Sequence, residues 1–438
     1  MTASKTESGT ENREPQYAAK SIKNKDGFMT DKIRTERITY CRRDLVRLAK
    51  RDNNNKRPFL LVNPLQGKHI PCSPAGALRL FEALADRLYD SCRGERLLIV
   101  GFAETATAIG AAVAACSPHR TGYIQTTREN IPGADYLYFS ESHSHATEQR
   151  LTKNRLSELL SAADRVIFAE DEVTTGSTIL NAVAAIRREY ASLDLKFGVV
   201  SILNGMTEEH LERFHSENIS CAWLLRLQND GYKEHLDQFE YDPALCFQPD
   251  GSVTEQPEHQ AVFRSAVQGG LPLGGYCNPR LGVGMKTFLD SCRSMAESAA
   301  ERLCAPSGNA LQGKDVLVLG TEEFMFPPLM LAAYLETHCG CRSVRFHATT
   351  RSPILPCGRE DYPITSRYGL RSVYDPLRST FIYNLNRYDK VVILHDSPTD
   401  FAPGLSDLCS VLIRKGCQDI SILRWTEEDT AYPQGGAR

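Results

Sequence analysis

The sequence predicts an α/β protein: a parallel sheet covered by helices, followed by a second α/β unit. Three observations carry this reading. Apolar runs of strand length alternate with helical patterns along most of the chain. Its 438 residues exceed the ~250–300 at which a single core stops growing. Short landmarks also recur in both halves in the same order.

Residues 1–33 are polar, lack the apolar stretch of a signal peptide, and read as a disordered tail. The first folded unit, 34–250, offers strands at 58–63, 96–101, 122–127, 165–170, 196–203 and 221–227. Helical patterns fall at 74–93, 103–116, 147–163, 177–192 and 207–216. Residues 251–280 hold two Gly-Gly pairs and several prolines, a composition that suits a linker. The second unit, 281–430, predicts a helix at 284–304, a strand at 315–320, a helix at 326–337, and strands at 343–350, 390–396 and 419–425. Residues 431–438 read as a disordered C-terminal tail.

The recurring landmarks suggest that the second unit is a diverged duplicate of the first. GFAETATAIG (101–110) matches GTEEFMFPPL (320–329), TTREN (126–130) matches TTRSP (349–353), and IFAED (167–171) matches VILHD (392–396). Gly101 to Thr126 spans 25 positions and Gly320 to Thr349 spans 29; Thr126 to Glu170 spans 44 and Thr349 to His395 spans 46.

A net charge of −3 gives no general attraction to polyanions, so nucleic acid is not the expected partner. No apolar run approaches the ~20 residues of a membrane helix, so no membrane partner is expected either. Fourteen cysteines lie scattered, without a C-x-x-C pair, as suits reduced thiols in a cytoplasmic protein.

The chemistry concentrates in VIFAEDEVTTGSTIL (166–180). A Gly-Ser-Thr loop that opens a helix is an anion cradle, because the first amides of a helix are unpaired and carry partial positive charge. Gly176 admits close backbone approach, and Thr174, Thr175, Ser177 and Thr178 bring hydroxyl donors. The acids just upstream suit sugar hydroxyls, or a cation travelling with a second phosphate. Together these describe a ribose 5-phosphate ligand.

The run Glu170 to Thr178, after a strand and before a helix, resembles the phosphoribosyl pyrophosphate (PRPP) loop of type I phosphoribosyltransferases. The resemblance implies their Rossmann-like parallel-sheet fold and a pentosyltransferase using Mg²⁺-bound PRPP, with the acceptor unidentified. It implies that Glu170 and Asp171 fix the ribose and that residues 174–178 hold the 5-phosphate. It places a pyrophosphate loop at 101–110, where Thr105 and Thr107 would donate and Glu104, with Asp171, would hold the metal. A lid at 126–150 would bring Arg128, His143 and His145 to the pyrophosphate, and a hood at 63–71 would bring Lys68 and His69 to the acceptor. Glu172 departs from the pattern, since an apolar residue usually stands there.

TTRSP (349–353), with EEFMFPP (322–328) before it and FIYN (381–384) after it, resembles the TRSP domain. That domain follows a phosphoribosyltransferase domain in bacterial proteins of tellurium-resistance-type gene clusters. Glu322, Glu323, Arg351, Ser352, His395 and Asp396 are the second-unit candidates, at strand ends where open sheets place ligands. The reading is of a biosynthetic or stress-resistance enzyme whose second unit can process the product, with homodimerisation left open. Its rival is a non-catalytic PRPP sensor.

Overall fold

The computed structural model describes residues 38–52, 57–139, 149–228, 231–248, 257–268, 273–305, 308–398 and 402–427. The first half opens with the short helix α1 (Arg42–Leu45) and the antiparallel pair β1 (Arg47–Lys50) and β2 (Phe59–Val62). There follow α2 (Pro74–Tyr89), β3 (Leu97–Gly101), α3 (Ala106–Ala115), β4 (Thr121–Gln125), β5 (Tyr136–Tyr138), β6 (Arg150–Thr152) and α4 (Leu156–Ser161). β7 (Arg165–Val173), α5 (Ser177–Glu189), β8 (Lys196–Asn204), α6 (Glu208–Ser216), β9 (Ile219–Arg226), α7 (Tyr232–Leu236) and β10 (Cys246–Phe247) complete it.

Within the span read as a linker, Pro257–Gln268 forms a helix, α8, which packs against the last strand and last helix of the chain. The second half contains β11 (Val283–Gly284), α9 (Met285–Cys304), β12 (Asp315–Gly320), α10 (Phe326–His338) and β13 (Ser343–Ala348). It ends with β14 (Arg367–Arg371), β15 (Ser379–Tyr383), β16 (Lys390–His395), α11 (Pro403–Arg414) and β17 (Ile420–Arg424). No described helix is long and apolar enough to cross a membrane.

The two main sheets share one plan. The first runs β11-β4-β3-β7-β8-β9 and the second β13-β12-β16-β17, all parallel except the two-residue β11. Thus β4-β3-β7-β8 corresponds to β13-β12-β16-β17, with α2, α3 and α5 matched by α9, α10 and α11. Local hydrogen bonds repeat too. Thr126 N donates to the Gly101 carbonyl at 2.9 Å and Thr349 N to that of Gly320 at 3.1 Å. The amides of Ala103 and Glu322 donate to the hydroxyls of Thr126 and Thr349 at 2.8 and 3.1 Å. At both strand-end glycines the chain turns too tightly for a side chain. A Cβ on Gly101 would lie 2.7 Å from the Ala106 carbonyl, and one on Gly320 2.6 Å from that of Phe324.

The halves exchange contacts reciprocally. Val283, just before α9, pairs with Tyr123 on the edge of the first sheet, and Cys72, just before α2, pairs with Phe346 on the edge of the second. Helix α3 packs on α9 and α10, and α2 packs on α10. All ten residues of α3 are buried, which explains why its sequence is apolar all round. One continuous apolar core therefore runs through both halves.

The helix expected over 147–163 is instead β6 followed by the short α4. Leu151 and Thr152 are buried, β6 pairs with β5, and the Thr152 hydroxyl donates to the Arg280 carbonyl at 2.6 Å. A long-range contact outweighs the helical periodicity of that segment.

Candidate functional site

β7 is buried from Val166 through Ala169 and emerges at Glu170, so its last residues meet the C-terminal edge of the sheet. The side chains of Glu170, Asp171 and Glu172 then separate. Glu172 forms an ion pair with Arg57, at the start of β2, which resolves its departure from the family pattern. Asp171 Oδ1 accepts from the Glu172 amide at 3.1 Å. Glu170 is half-buried; desolvation first, and Asp171 second, push its carboxyl well above the usual range, while Lys68 and Arg128 pull it back. Neither Lys68 nor Arg128 has a carboxylate partner among the described residues. Two uncommitted cations thus stand within electrostatic reach of Glu170.

The turn after β7 is open. Thr174, Thr175, Ser177 and Thr178 are exposed, and Thr175 Oγ1 lies 3.0 Å from Ser177 Oγ. The first turn of α5 carries no acid, so its positive end is not cancelled locally. Gly176 has φ +73°, and a Cβ there would lie 2.4 Å from the Phe214 ring of α6. Glycine is required both by conformation and by that close approach.

Glu104 is placed differently from its expected metal role. Its carboxylate accepts from Thr350 Oγ1 at 2.7 Å and from the Arg351 amide at 3.1 Å, both in the second half. Thr105 is buried, and Thr107 Oγ1 lies 2.9 Å from the Glu323 carbonyl, so the two donors expected for pyrophosphate are turned inward. Glu323 returns the exchange: it accepts from Thr127 Oγ1 at 2.7 Å and from the Arg128 amide at 2.8 Å. Gln149, not anticipated from the sequence, ties the start of β6 to this loop by donating to the Ala103 carbonyl at 2.9 Å.

His69 also differs from expectation. It is buried beside the Tyr383 ring, with centroids 5.9 Å apart, and burial pushes its pKa well below the ordinary value. A neutral packed imidazole between the halves replaces the expected surface contact. His143 and His145 lie outside the described residues.

In the second half, Glu322, Glu323 and Arg351 do converge, but as partners of one another and of the first half, while His395 and Asp396 have separate partners. Arg351 Nε donates to Glu322 at 2.7 Å and Nη2 pairs with Glu129, with Glu104 and Glu323 at 3.7 and 3.6 Å. Arg378 adds 2.8 Å to Glu129 and 3.0 Å to Glu322. Glu322, wholly buried, is raised to about 7, mainly by desolvation. Ser352 offers its carbonyl to the Tyr383 hydroxyl. His395 Nδ1 accepts from the Ser397 amide at 3.2 Å. Asp396 accepts from Tyr374 at 2.6 Å, from Tyr276 at 3.1 Å and from Arg280. Arg57, Glu129, Arg280, Tyr276, Tyr374 and Arg378 carried no sequence signal, since each acts across a gap of tens to hundreds of residues.

Among the described residues no group of three or more His, Cys, Asp or Glu is arranged to hold a metal ion. One or two carboxylates at 170–171 still suit Mg²⁺, which usually takes that many from protein and the rest from substrate phosphates and water.

Residues 45–226 match the family described as phosphoribosyl transferase. Residues 280–412 match the TRSP domain that lies C-terminal to it. Orotate phosphoribosyltransferase of Methanocaldococcus jannaschii is 36% identical over 78 residues, which is 18% of this chain. The chain spans 44% of the length of that relative. Among solved structures, adenine phosphoribosyltransferase of Rhodothermus marinus is 13% identical, covering 42% of this chain and 96% of that one at a TM-score of 0.30. Orotate phosphoribosyltransferase of Aeropyrum pernix is 14% identical, covering 45% and 94% at 0.28.

Proposed function

We propose that this chain, in which a match to the phosphoribosyl transferase family is followed by a match to the TRSP domain, transfers ribose 5-phosphate from PRPP to an acceptor and releases pyrophosphate. The single observation that supports this best is the open hydroxyl turn at 174–178, with Glu170 beside it and Lys68 and Arg128, uncommitted among the described residues, within electrostatic reach of Glu170.

In this reading the amides and hydroxyls of 174–178 hold the 5-phosphate at the positive end of α5. Glu170 and Asp171 hold the ribose hydroxyls. The bond from the anomeric carbon to pyrophosphate breaks as the bond to the acceptor forms, and the acceptor's proton passes to water. The ribose becomes oxocarbenium-like on the way, and the Asp171 carboxylate stabilises that positive charge. Lys68 and Arg128 neutralise the departing pyrophosphate. Mg²⁺, held by Asp171 together with ligand oxygens, would supply further charge neutralisation. Glu104 has no part in this, because its carboxylate clasps Thr350 and Arg351.

The proposed setting is biosynthesis of a nucleotide-like compound in the cytoplasm, within a stress-resistance pathway of the tellurium-resistance type. The test is PRPP-dependent release of pyrophosphate in the presence of Mg²⁺ and a panel of bases, with the adduct identified by mass. No release and no ribosyl 5-phosphate adduct with any base or with a cell extract would leave the sensor reading standing instead.

A further inference from the structure

A cavity of about 1190 Å³ opens beyond the end of β16, at the edge of the second sheet where open α/β sheets place ligands. It is large enough for a nucleotide-sized molecule. Its walls come from both halves, among them Arg128, Arg280, Arg378, Tyr276, Tyr374 and Asp396. Only Arg128 is shared with the site at 170–178.

The charges of the cavity are unevenly spent. Asp396 is saturated by Tyr374, Tyr276 and Arg280, and Glu129 by Arg351 and Arg378. Two further acids line the wall: Asp375, whose carboxylate accepts from the Leu377 amide at 3.0 Å, and Glu427. Donors remain. Arg280 is 3% exposed, yet among the described residues its Nη2 has no acceptor, and neither do the Nε atoms of Arg128, Arg150 and Arg378. A buried donor left unpaired costs ~1–3 kcal/mol, more when charged, so such a group calls for an acceptor. The second half lacks the hydroxyl turn of the first: α11 begins with Pro403, which has no N–H, after Ala402, which has no polar side chain, and the Leu405 and Ser406 amides are spent on the Ala402 carbonyl. Oxyanion capture here falls to guanidinium groups, which bind phosphate and carboxylate in a fork. Ile131, Leu281 and Leu377 provide apolar wall for a ring.

We infer that this cavity is a second ligand site, for a nucleotide-sized small molecule whose oxyanion is held by Arg280 and Arg128. The site stands whether or not the first site is a transferase.

The experiment is calorimetric titration of the full chain with AMP, adenosine and orotate at low salt. The Ser177→Asp variant is used throughout; its added charge repels phosphate from the 174–178 turn and, at an exposed first helical position, spares the fold. AMP is expected to bind this variant one to one and adenosine not to bind. Orotate binding without AMP binding keeps the oxyanion site and assigns it to carboxylates. Arg280→Lys, which retains charge but not the fork, is expected to weaken binding at least tenfold. Because Arg280 is buried, Leu377 provides an independent check: it is 96% exposed and its replacement cannot disturb the core. Leu377→Glu should weaken binding severalfold and Leu377→Lys should tighten it. The inference is overturned if neither anion binds Ser177→Asp, or if binding is indifferent to both Leu377 changes.

Discussion

Arg128 and Arg351 stand at matching positions in the two halves, each following a Thr-Thr pair whose second hydroxyl is held by a glutamate of the opposite half. Only Arg351 is locked in place. Its guanidinium lies among Glu104, Glu129, Glu322 and Glu323, whereas that of Arg128 has no carboxylate partner among the described residues. Duplicated geometry thus carries a structural arginine in one half and an available one in the other.

The two arginines should respond to mutation in opposite ways. Arg351→Ala strands buried carboxylates and is expected to cost ~3–5 kcal/mol, the usual penalty for breaking a buried pair. Arg128→Ala should leave urea stability nearly unchanged while lowering PRPP turnover tenfold or more. Urea melts and pyrophosphate release, measured on both variants, check the pair.

The reciprocal clasp predicts that neither half is stable alone. A fragment ending at residue 250 would expose α3, buried on every side in the full chain. It is expected to aggregate or bind a hydrophobic dye, while the full chain does not. Within the full chain, Glu104→Gln combined with Thr350→Val should show a coupling of ~0.5–3 kcal/mol in a double-mutant cycle.

Glu322 sets a pH dependence. Its folded pKa, about 7, lies above the ordinary carboxyl value of 4.5, so the folded state binds more protons between those limits. Its contribution to stability is therefore complete below pH 4.5 and is lost as pH rises through 7. The full swing is on the order of 3 kcal/mol for this buried group. Thermal melts should fall from pH 5 to pH 8, and Glu322→Gln should flatten that slope. An unchanged slope would assign the effect to other groups.

How far the sequence revealed these features depended on how local they were. The open hydroxyl turn could be read because its strand, acids, hydroxyls and helix start lie within fifteen residues, each with its own local signature. The match of the two halves was legible for the same reason, as short strand-end motifs in fixed order. The role of Glu104 was not, because a polar strand-end turn looks alike whether it faces a metal or Thr350, 246 residues away. Arg280 was hidden in a Gly- and Pro-rich stretch whose composition suits a linker, and its burial depends on Asp396 and Glu323. His69 looked like a surface residue because its cover includes Tyr383, more than 300 residues away in the second half.

Gly176 needs care as a probe of the turn. Any side chain would strike the Phe214 ring, so Gly176→Val is expected to lose stability as well as ligand binding. Exposed positions give a cleaner answer. Thr175→Ala and Ser177→Ala should each weaken PRPP binding with melting temperatures within a degree or two of the parent.

The most direct measurement is the affinity of the full chain for Mg²⁺-PRPP by titration calorimetry, with Ser177→Asp as the comparison. Saturable one-to-one binding at the turn is expected, weakened at least tenfold, or ~1.4 kcal/mol, in the variant. Absence of binding by the parent, or equal affinity in a folded Ser177→Asp protein, would contradict the assignment of the 174–178 turn as the phosphate cradle.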